Sequence, residues 1–218
     1  MHDGAVRRPP QDHTAAFTGT DASFTMRPIA IARTPYRERY GTPHQSTTTR
    51  GTRQGTPAEA TIELVDGIPV EALRGLEGFD RVWLLYVFHM NEGWSPMVRP
   101  PRGPRVKRGV LATRSPHRPC PIGLSAVELV AVEGRTLRVR CVDLLDGTPV
   151  LDVKPYVPYA DAFPTARAGW VDEVDALERA AASGDPDARE TADEGANADA
   201  ESAQDQRAGS SSFESGTP

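Results

Sequence analysis

The sequence of 218 residues lacks the features that mark several common protein classes. Its most apolar run, RVWLLYVFH at 81–89, is much shorter than the ~18–20 residues that a membrane-spanning helix requires. No two glycines are separated by a single residue, so the G-x-G-x-x-G turn cannot occur, and the P-loop pattern is absent too. Two cysteines, Cys120 and Cys141, do not make a disulfide framework or a metal site. Any nucleotide-like cofactor would therefore bind outside a Gly-rich turn, and no metal is expected.

Charge is distributed unevenly along the chain. Residues 27–170 contain 20 Lys and Arg against 14 Asp and Glu, whereas residues 171–218 contain three Arg against 13 acidic residues. Residues 1–26 are close to neutral, with two Arg and three Asp. The overall net charge of −5 therefore conceals a basic central region, which is what an anionic partner would meet first.

The two ends of the chain have the composition of disordered segments. Residues 1–23 and most of the acidic tail, residues 171–218, contain too little apolar surface to offset the entropy of ordering. The spacing of Val171, Val174 and Leu177 is compatible with a short helix at the start of the tail. The tail would act as a solubilising extension, or would compete with an anionic ligand for the basic region. Because residues 1–23 lack the apolar run of a signal peptide, a cytoplasmic protein without a membrane anchor is expected.

The central region, residues 24–170, is predicted to form one mainly β domain. Turn residues recur about every ten positions, with short strand-like runs between them. Alternation of apolar and polar residues indicates strands at 61–65 and 136–144. Further strands are predicted at 28–33, 109–113 and 126–132, and a short helix at 70–76. This pattern predicts a small β-barrel or a β-sandwich with few short helices.

The run at 81–89 has no polar alternation. Its continuity indicates a strand that is buried on both faces, so Trp83, Tyr86 and Phe88 are predicted to be core residues rather than base-stacking residues. His89 follows at the point where the strand emerges, which is a common position for a ligand contact. A structural histidine would occupy the same place.

A stiff basic segment lies at 99–125. It contains seven Lys and Arg side chains, six prolines and no acidic residue. Prolines restrict the backbone, and arginines that have no local carboxylate are suited to bind phosphate or carboxylate groups. The segment therefore predicts an anion-binding loop, although a solvated basic face would have the same composition.

A second chemically active segment follows the Asp-Gly-Thr-Pro turn at 146–149. Asp152, Lys154 and Tyr156 alternate beyond this turn, so they would project from one face of an extended strand. An acid, a base and a phenol on one face could bind a polar ligand or transfer a proton. They could equally form an exposed cross-strand network.

Five motifs, in order along the chain, are similar to those of a known family. They are PIAIARTPYRERYGTPHQ at 28–45, GLEGFDRVWLLYVFH at 75–89, VRPPR at 98–102, GVLATRSPHRPCPIGLS at 109–125 and DLLDGTPVLDVKPYVPYADA at 143–162. The sequence resembles the TsaA-like family, whose characterised members are the tRNA (adenine37-N6)-methyltransferases called TrmO. The resemblance covers residues 27–168.

This resemblance implies a fold, a reaction and a set of site residues. It implies a non-Rossmann β-barrel that binds S-adenosylmethionine, acts as a homodimer and methylates N6 of N6-threonylcarbamoyladenosine at position 37 of tRNA. The implied cofactor contacts are Gln45, Ser46, Thr47, Thr48, His89, Met90, Arg114, Leu124, Asp146, Gly147, Thr148 and Pro149. The residues expected to contact tRNA are Arg105, Lys107, Arg108 and Arg118. Asp152, Lys154 and Tyr156 are the candidates for catalysis.

Two departures from the family pattern lie near the implied cofactor pocket. Cys120 stands where the family usually has Asn, and Ser46–Thr48 stands where Pro-Gly-Leu is common. Both changes bear on cofactor affinity more than on the fold, because they remove or replace groups that would face a ligand.

Two other functions are compatible with the same residues. A methyltransferase of the same fold that acts on another nucleoside or on a small molecule would bind the cofactor without requiring threonylcarbamoylated tRNA. A non-catalytic RNA-binding module would bind tRNA in a salt-sensitive way and would transfer no methyl group.

Overall fold

The computed structural model describes residues 23–38, 42–43 and 58–183. Within them the chain forms eight strands and two α-helices. The strands are β1 (Ala30–Arg33), β2 (Glu59–Leu64), β3 (Arg81–Val87), β4 (Met97–Val98), β5 (Arg108–Gly109), β6 (Ile122–Glu133), β7 (Thr136–Arg140) and β8 (Pro149–Pro155). The helices are α1 (Pro158–Asp161) and α2 (Trp170–Ser183), and short 3-10 turns lie at Val70–Leu73, Leu76–Gly78 and Val110–Ala112.

Six of these strands close into an antiparallel barrel in the order β1–β2–β7–β6–β3–β8. Every second side chain of β2, β3 and β7 points into the barrel, and these inward side chains form its packed core. Ile62, Leu84 and Leu137 are fully buried there, and each such side chain contributes about 1.5–3 kcal/mol on burial. The predicted mainly β barrel is confirmed.

The barrel closes at the seam between β1 and β8. Only two residue pairs form this ladder, Ala30 with Val150 and Ile31 with Pro149. Two hydrogen bonds extend it: Ala32 donates its N–H to the Thr148 carbonyl at 2.9 Å and accepts from the Gly147 N–H at 2.8 Å. The turn that precedes β8 is therefore part of the barrel closure.

The run at 81–89 differs from its prediction. Val82, Leu84 and Tyr86 point inward and are buried, whereas the residues between them, including Trp83, are only partly buried on the outer face. Burial on both faces was therefore a wrong prediction, and so was a core position for Trp83. A strand in a single-layered barrel has one covered face, and a continuous apolar run does not reveal this.

Other predictions differ in detail from the structure. The strand expected at 109–113 is only two residues long and turns into a 3-10 helix. Strand β7 ends at Arg140, because Cys141 has a φ of 62°, in the left-handed region, which breaks an extended ladder. The helix expected at 70–76 is replaced by two 3-10 turns on either side of Gly75, whose φ is 86°. Helix α2 lies where the spacing of apolar residues predicted it.

Replacing Gly123 by Ala is expected to destabilise the barrel. A Cβ atom at this position would overlap the ring of Tyr86, which is buried and held by a hydrogen bond to Ser125. Overpacking of this kind costs about 1–3 kcal/mol of unfolding free energy. Urea denaturation would measure the loss. The control is Gly109→Ala, where φ is −56° and no atom lies within 4 Å of the added Cβ; equal stability of both variants would contradict the prediction.

Candidate active site

A β-bulge in β8 decides which of its side chains face outward. Tyr86 pairs with Val150 and Leu85 pairs with Asp152, so Leu151 is the extra residue. An uninterrupted alternation from the buried Val150 would turn Asp152 into the barrel. The bulge reverses this, and Asp152 and Lys154 both project from the outer face.

Asp152 and Lys154 form a tight ion pair on this face. The Lys154 Nζ lies 2.7 Å from Asp152 Oδ2, and Asp152 Oδ1 accepts the N–H of Val153 at 2.9 Å. Both carboxylate oxygens are thus fixed, and the ammonium is held beside them while 61% of the Lys154 side chain stays exposed. An exposed carboxylate and ammonium in contact could accept a proton from a bound ligand and stabilise a negative charge on it.

An aromatic pair lies next to these charges. Trp83 is the β3 partner of Lys154, and its ring lies 5.5 Å from that of Tyr156, with an angle of 49° between the planes. The Tyr156 N–H continues the strand by donating to the Arg81 carbonyl at 3.0 Å. A planar ligand such as a nucleobase could stack against this aromatic surface while reaching the ion pair.

The rest of the outer face is apolar towards the upper end of the barrel, defined here as the end where β1 and β3 finish and β6 and β8 begin. Leu85 lies between its two strand partners, Asp152 and Leu124, and 52% of Leu124 is exposed. His89 and Met90 follow β3 at this end and are exposed, Met90 to 68%. Large apolar side chains exposed beside charged groups mark a surface that a ligand or a partner covers.

The turn at Asp146–Pro149 lies at the same end but is largely engaged within the fold. Asp146 Oδ1 accepts the N–H of Thr34 at 3.1 Å, and its backbone N–H donates to the Tyr36 carbonyl at 2.7 Å. Asp146 Oδ2 lies 3.6 Å from Arg37 Nη1. Thr148 is 4% exposed. A cofactor contact at this turn would therefore use groups that also close the barrel.

Inside the upper end, a hydrogen-bond chain joins Tyr86, which was predicted as a core residue, to Ser125 and Asp143, for which the sequence patterns predicted no role. Ser125 donates its hydroxyl proton to Asp143 Oδ1 at 2.6 Å. Because a hydroxyl has only one proton to donate, the Tyr86 hydroxyl is the donor in its 3.0 Å bond to Ser125 Oγ. Burial, reinforced by the charge of Asp143, raises the pKa of Tyr86 above its usual range, and the phenol stays protonated. A serine at an inward position of β6, among apolar neighbours, is the sequence feature that could have revealed this chain.

The basic segment meets acidic partners on helix α2. Arg102 Nη2 lies 2.9 Å from Glu178 Oε2 and also bonds Asp175. The hydrogen bonds to Glu178 and to Asp175 hold the pKa of Arg102 well above its usual range. Arg108 pairs with Glu173 at 3.3 Å. The expectation that these arginines have no carboxylate nearby is wrong, because their partners lie 65 to 76 positions further along the chain.

The remaining basic side chains are placed differently. Arg105 and Lys107 are exposed on the loop between β4 and β5, and neither forms an ion pair with another described residue. Arg118 Nη1 donates to the Thr113 carbonyl at 3.4 Å. Arg114 is exposed, and its positive charge acts to lower the pKa of Tyr86, against the larger effect of burial. The implied cofactor contacts Gln45, Ser46, Thr47 and Thr48 lie outside the described residues.

The described donors and surfaces are compatible with S-adenosylmethionine. Exposed apolar side chains at Leu124 and Met90 could cover an adenine, and His89 beside them offers a hydrogen-bonding ring. The outer-face ion pair is joined to this surface through Leu85, which neighbours both Leu124 and Asp152. The fold thus brings Leu124, one of the implied cofactor residues, and Asp152, one of the candidate catalytic residues, to adjoining positions on one outer face.

Comparison with known proteins identifies the class as tRNA methyltransferases. The family model for the tRNA-methyltransferase O N-terminal domain matches residues 31–162. The tRNA (adenine(37)-N6)-methyltransferase of Escherichia coli (strain K12) is 42% identical over 169 residues, which cover 73% of this chain and 68% of the relative. The chain belongs to the TrmO family of S-adenosylmethionine-dependent tRNA methyltransferases.

Two further relatives are consistent with this family. The crystal structure of TrmO from Pseudomonas aeruginosa matches with a TM-score of 0.57 at 41% identity, covering 69% of this chain and 64% of that one. The tRNA (adenine(37)-N6)-methyltransferase of Mus musculus is 40% identical over 140 residues, which cover 62% of this chain and 31% of the relative. The chain therefore spans less than two thirds of the length of both.

In residues 23–38, 42–43 and 58–183, no helix has the length and apolar character needed to cross a membrane. Over the same ranges, no three His, Cys, Asp or Glu side chains are grouped as metal ligands would be.

Proposed function

We propose that the protein transfers the methyl group of S-adenosylmethionine to N6 of N6-threonylcarbamoyladenosine at position 37 of tRNA, in the cytoplasm. The proposed catalytic domain is residues 24–170, a range that contains the whole family match. The observation that carries the proposal is the Asp152–Lys154 ion pair beside the Trp83–Tyr156 aromatic pair. This arrangement offers a stacking surface, a proton acceptor and a positive charge to one nucleobase.

In the proposed reaction the residues of the protein accept a proton, stabilise a charge and position the base. When bound, S-adenosylmethionine supplies an electrophilic methyl group, so no covalent nucleophile is required of the protein. The N6 nitrogen of a carbamoylated adenine is a poor nucleophile that carries one proton. Asp152 would accept that proton as the new carbon–nitrogen bond forms and the carbon–sulfur bond breaks. Lys154 would stabilise the negative charge that develops on the carbamoyl group, and Trp83 and Tyr156 would hold the base in line.

Cofactor binding is assigned to the upper end of the barrel. Leu124, His89 and Met90 would form the described wall of the pocket, with the Asp146–Pro149 turn behind them. The threonylcarbamoyl group carries a carboxylate, for which Arg118 is the proposed partner. Arg105 and Lys107 are exposed and unpaired in the described structure, which suits them to tRNA phosphates.

We also propose that the protein is a homodimer formed through the apolar part of the outer face around Leu85 and Leu124, with the cofactor pocket and the Asp152–Lys154 pair at the edge of the interface. Two outer faces of the barrel differ in character. The face of β1, β2 and β7 carries ion pairs, such as Arg33 with Glu63 at 3.1 Å and Arg140 with Glu59 at 3.0 Å. The part of the other face around Leu85 and Leu124 is apolar, and the described ion pairs of β6 and β8, at Glu128, Glu133 and Asp152, lie further from the upper end. A self-complementary contact between two apolar faces supports a two-fold dimer.

Methyl transfer in vitro tests the proposed reaction. The full chain is incubated with methyl-labelled S-adenosylmethionine and with tRNA from cells that contain or lack threonylcarbamoyladenosine. Label is expected only in the tRNA that carries this modification, because its carbamoyl group is needed to delocalise the developing charge. Asp152→Asn serves as the matched inactive variant.

The other outcomes separate the alternatives. Equal labelling of both tRNA pools, or labelling of neither despite calorimetric binding of the cofactor, would contradict the proposed substrate and favour another acceptor. tRNA binding without any cofactor binding would contradict the enzymatic function and favour an RNA-binding module.

A further inference from the structure

Helix α2 covers part of the basic segment through a set of specific contacts. The Trp170 indole donates its N–H to the Ala112 carbonyl at 2.8 Å, and the Arg108 guanidinium lies 5.8 Å above the Trp170 ring. Val174 is 2% exposed and packs so closely on Gly103 that no Cβ would fit there. The helix is therefore docked on the loop between β4 and β5, and not merely adjacent to it.

The acidic side chains of the helix occupy the hydrogen-bonding groups of two arginines. Arg102 bonds both oxygens of Glu178, at 3.1 and 2.9 Å, as well as Asp175. Arg108 Nη2 donates to Glu173 at 3.3 Å. Two or more carboxylate oxygens on a guanidinium reproduce the bidentate geometry with which arginine binds a phosphate group.

The contact is separate from the core of the barrel. Val174 and Val110 are buried, but neither belongs to the cluster of core residues inside the barrel. Arg102, Asp175 and Glu178 each keep about 40% of their side-chain surface exposed, so water and competing ions reach the pair. Exchange of one anionic partner for another would therefore leave the barrel intact.

We propose that Arg102 and Arg108 form a phosphate-binding surface for RNA, which helix α2 covers in the free protein with carboxylates in the place of phosphates. This inference rests on the proposed tRNA substrate, and it adds Arg102 to the expected tRNA contacts Arg105, Lys107 and Arg108. The acidic residues of the tail that begins with α2 would then lower the affinity for any nucleic acid that cannot displace the helix.

Two consequences follow from the competition. Removal of the helix carboxylates frees both arginines, so the affinity for tRNA rises. Each phosphate that is newly bound releases counterions, so the dependence of log K on log salt becomes steeper by about 0.7–0.9 per contact.

The test compares charge variants of the full chain by fluorescence anisotropy with labelled tRNA transcript over a range of salt concentrations. The variant E173Q/D175N/E178Q removes three negative charges with little change of side-chain shape. Its Kd for tRNA at low salt is expected to be about three- to tenfold lower than that of the wild type, with a salt slope steeper by about 1.4–1.8 for two new contacts. The control E59Q/E63Q/E133Q changes the net charge equally and also releases arginines, Arg33, Arg138 and Arg140, but on barrel strands and not under helix α2. Its Kd should stay within about twofold, since these arginines are not part of the proposed surface.

A second variant distinguishes undocking of the helix from a general effect of lower negative charge. Trp170→Ala with Val174→Ala weakens the docking of the helix without changing any charge, and it should also lower the Kd for tRNA. In the wild type, tRNA should accelerate hydrogen–deuterium exchange in residues 170–183.

Equal Kd values for the charge variant and its control would overturn the inference. Weaker tRNA binding by either helix variant would also overturn it, because the helix would then stabilise the loop in its RNA-binding conformation. The methyl-transfer assay runs in parallel and keeps the two proposals distinguishable. Transfer to tRNA with an unchanged Kd contradicts the covered surface alone. Tighter binding by the variants without transfer supports the covered surface and contradicts the proposed reaction.

Discussion

Replacing Lys154 by Met is expected to lower kcat for methyl transfer by about 100-fold or more, which corresponds to about 2.7 kcal/mol of activation free energy. The ammonium is held 2.7 Å from Asp152, on the exposed face where the base is proposed to stack. Its charge is needed only when negative charge develops on the carbamoyl group, so its loss reduces transition-state stabilisation and not cofactor binding. Single-turnover kinetics would measure the chemical step, and calorimetry should find the Kd for S-adenosylmethionine within about twofold of wild type.

Two variants show whether the charge is responsible. Lys154→Arg keeps a cation beside Asp152 and should retain part of the rate that Lys154→Met loses. Arg138→Met removes a cation from the opposite outer face, where its partner is Glu133 at 3.6 Å, and should have no effect on kcat. A Lys154→Met enzyme with wild-type kcat would remove Lys154 from the mechanism.

Replacing Leu85 by Arg is expected to convert the proposed dimer into a monomer, with a rise of at least about 100-fold in the dimer dissociation constant. Leu85 lies at the centre of the apolar outer face, between its strand partners Leu124 and Asp152. A guanidinium at this position would have to be desolvated against apolar groups of the second copy. Sedimentation equilibrium over a range of protein concentrations would measure the change.

The matched control for this variant is Ile31→Arg. Ile31 also points outward and also has a carboxylate, Glu63, as its strand partner, but it lies on β1, in the face of ion pairs that is not part of the proposed interface. This variant should assemble like the wild type. Dimers of unchanged stability in Leu85→Arg would place the interface elsewhere, and a wild-type monomer would contradict the dimer itself.

Much of the barrel could be predicted from alternation. In β2 and β7 a period of two fixes which side chains face the core, because burial of one face selects the register. The run at 81–89 could not be resolved in the same way. Its outer residues Leu85 and Val87 are as apolar as its inner ones, and a sequence does not distinguish a face covered by its own chain from a face available to a second molecule.

The site was only partly predictable, because it depends on which strands and side chains are paired in the fold. The sequence indicates that Asp152 and Lys154 share a face, but which face depends on the bulge at Leu151, and this bulge exists only in the pairing with β3. The same limit applies to Arg102. Its loop contains no acid, and the carboxylates that bind it come from a helix more than 70 positions away. Local composition describes a segment and not the partners that folding brings to it.

The seam between β1 and β8 has a consequence for the order in which the protein folds. Its paired residues, such as Ala30 and Val150, are 120 positions apart, so the ring of strands cannot close until almost the whole domain has been synthesised. Until then β1 and β3 each present an unpaired edge, and the nascent chain is exposed to aggregation through them. Since β8 also carries Asp152 and Lys154, the last strand in the chain both closes the barrel and completes the proposed catalytic surface. A premature stop before Pro149 would remove both at once.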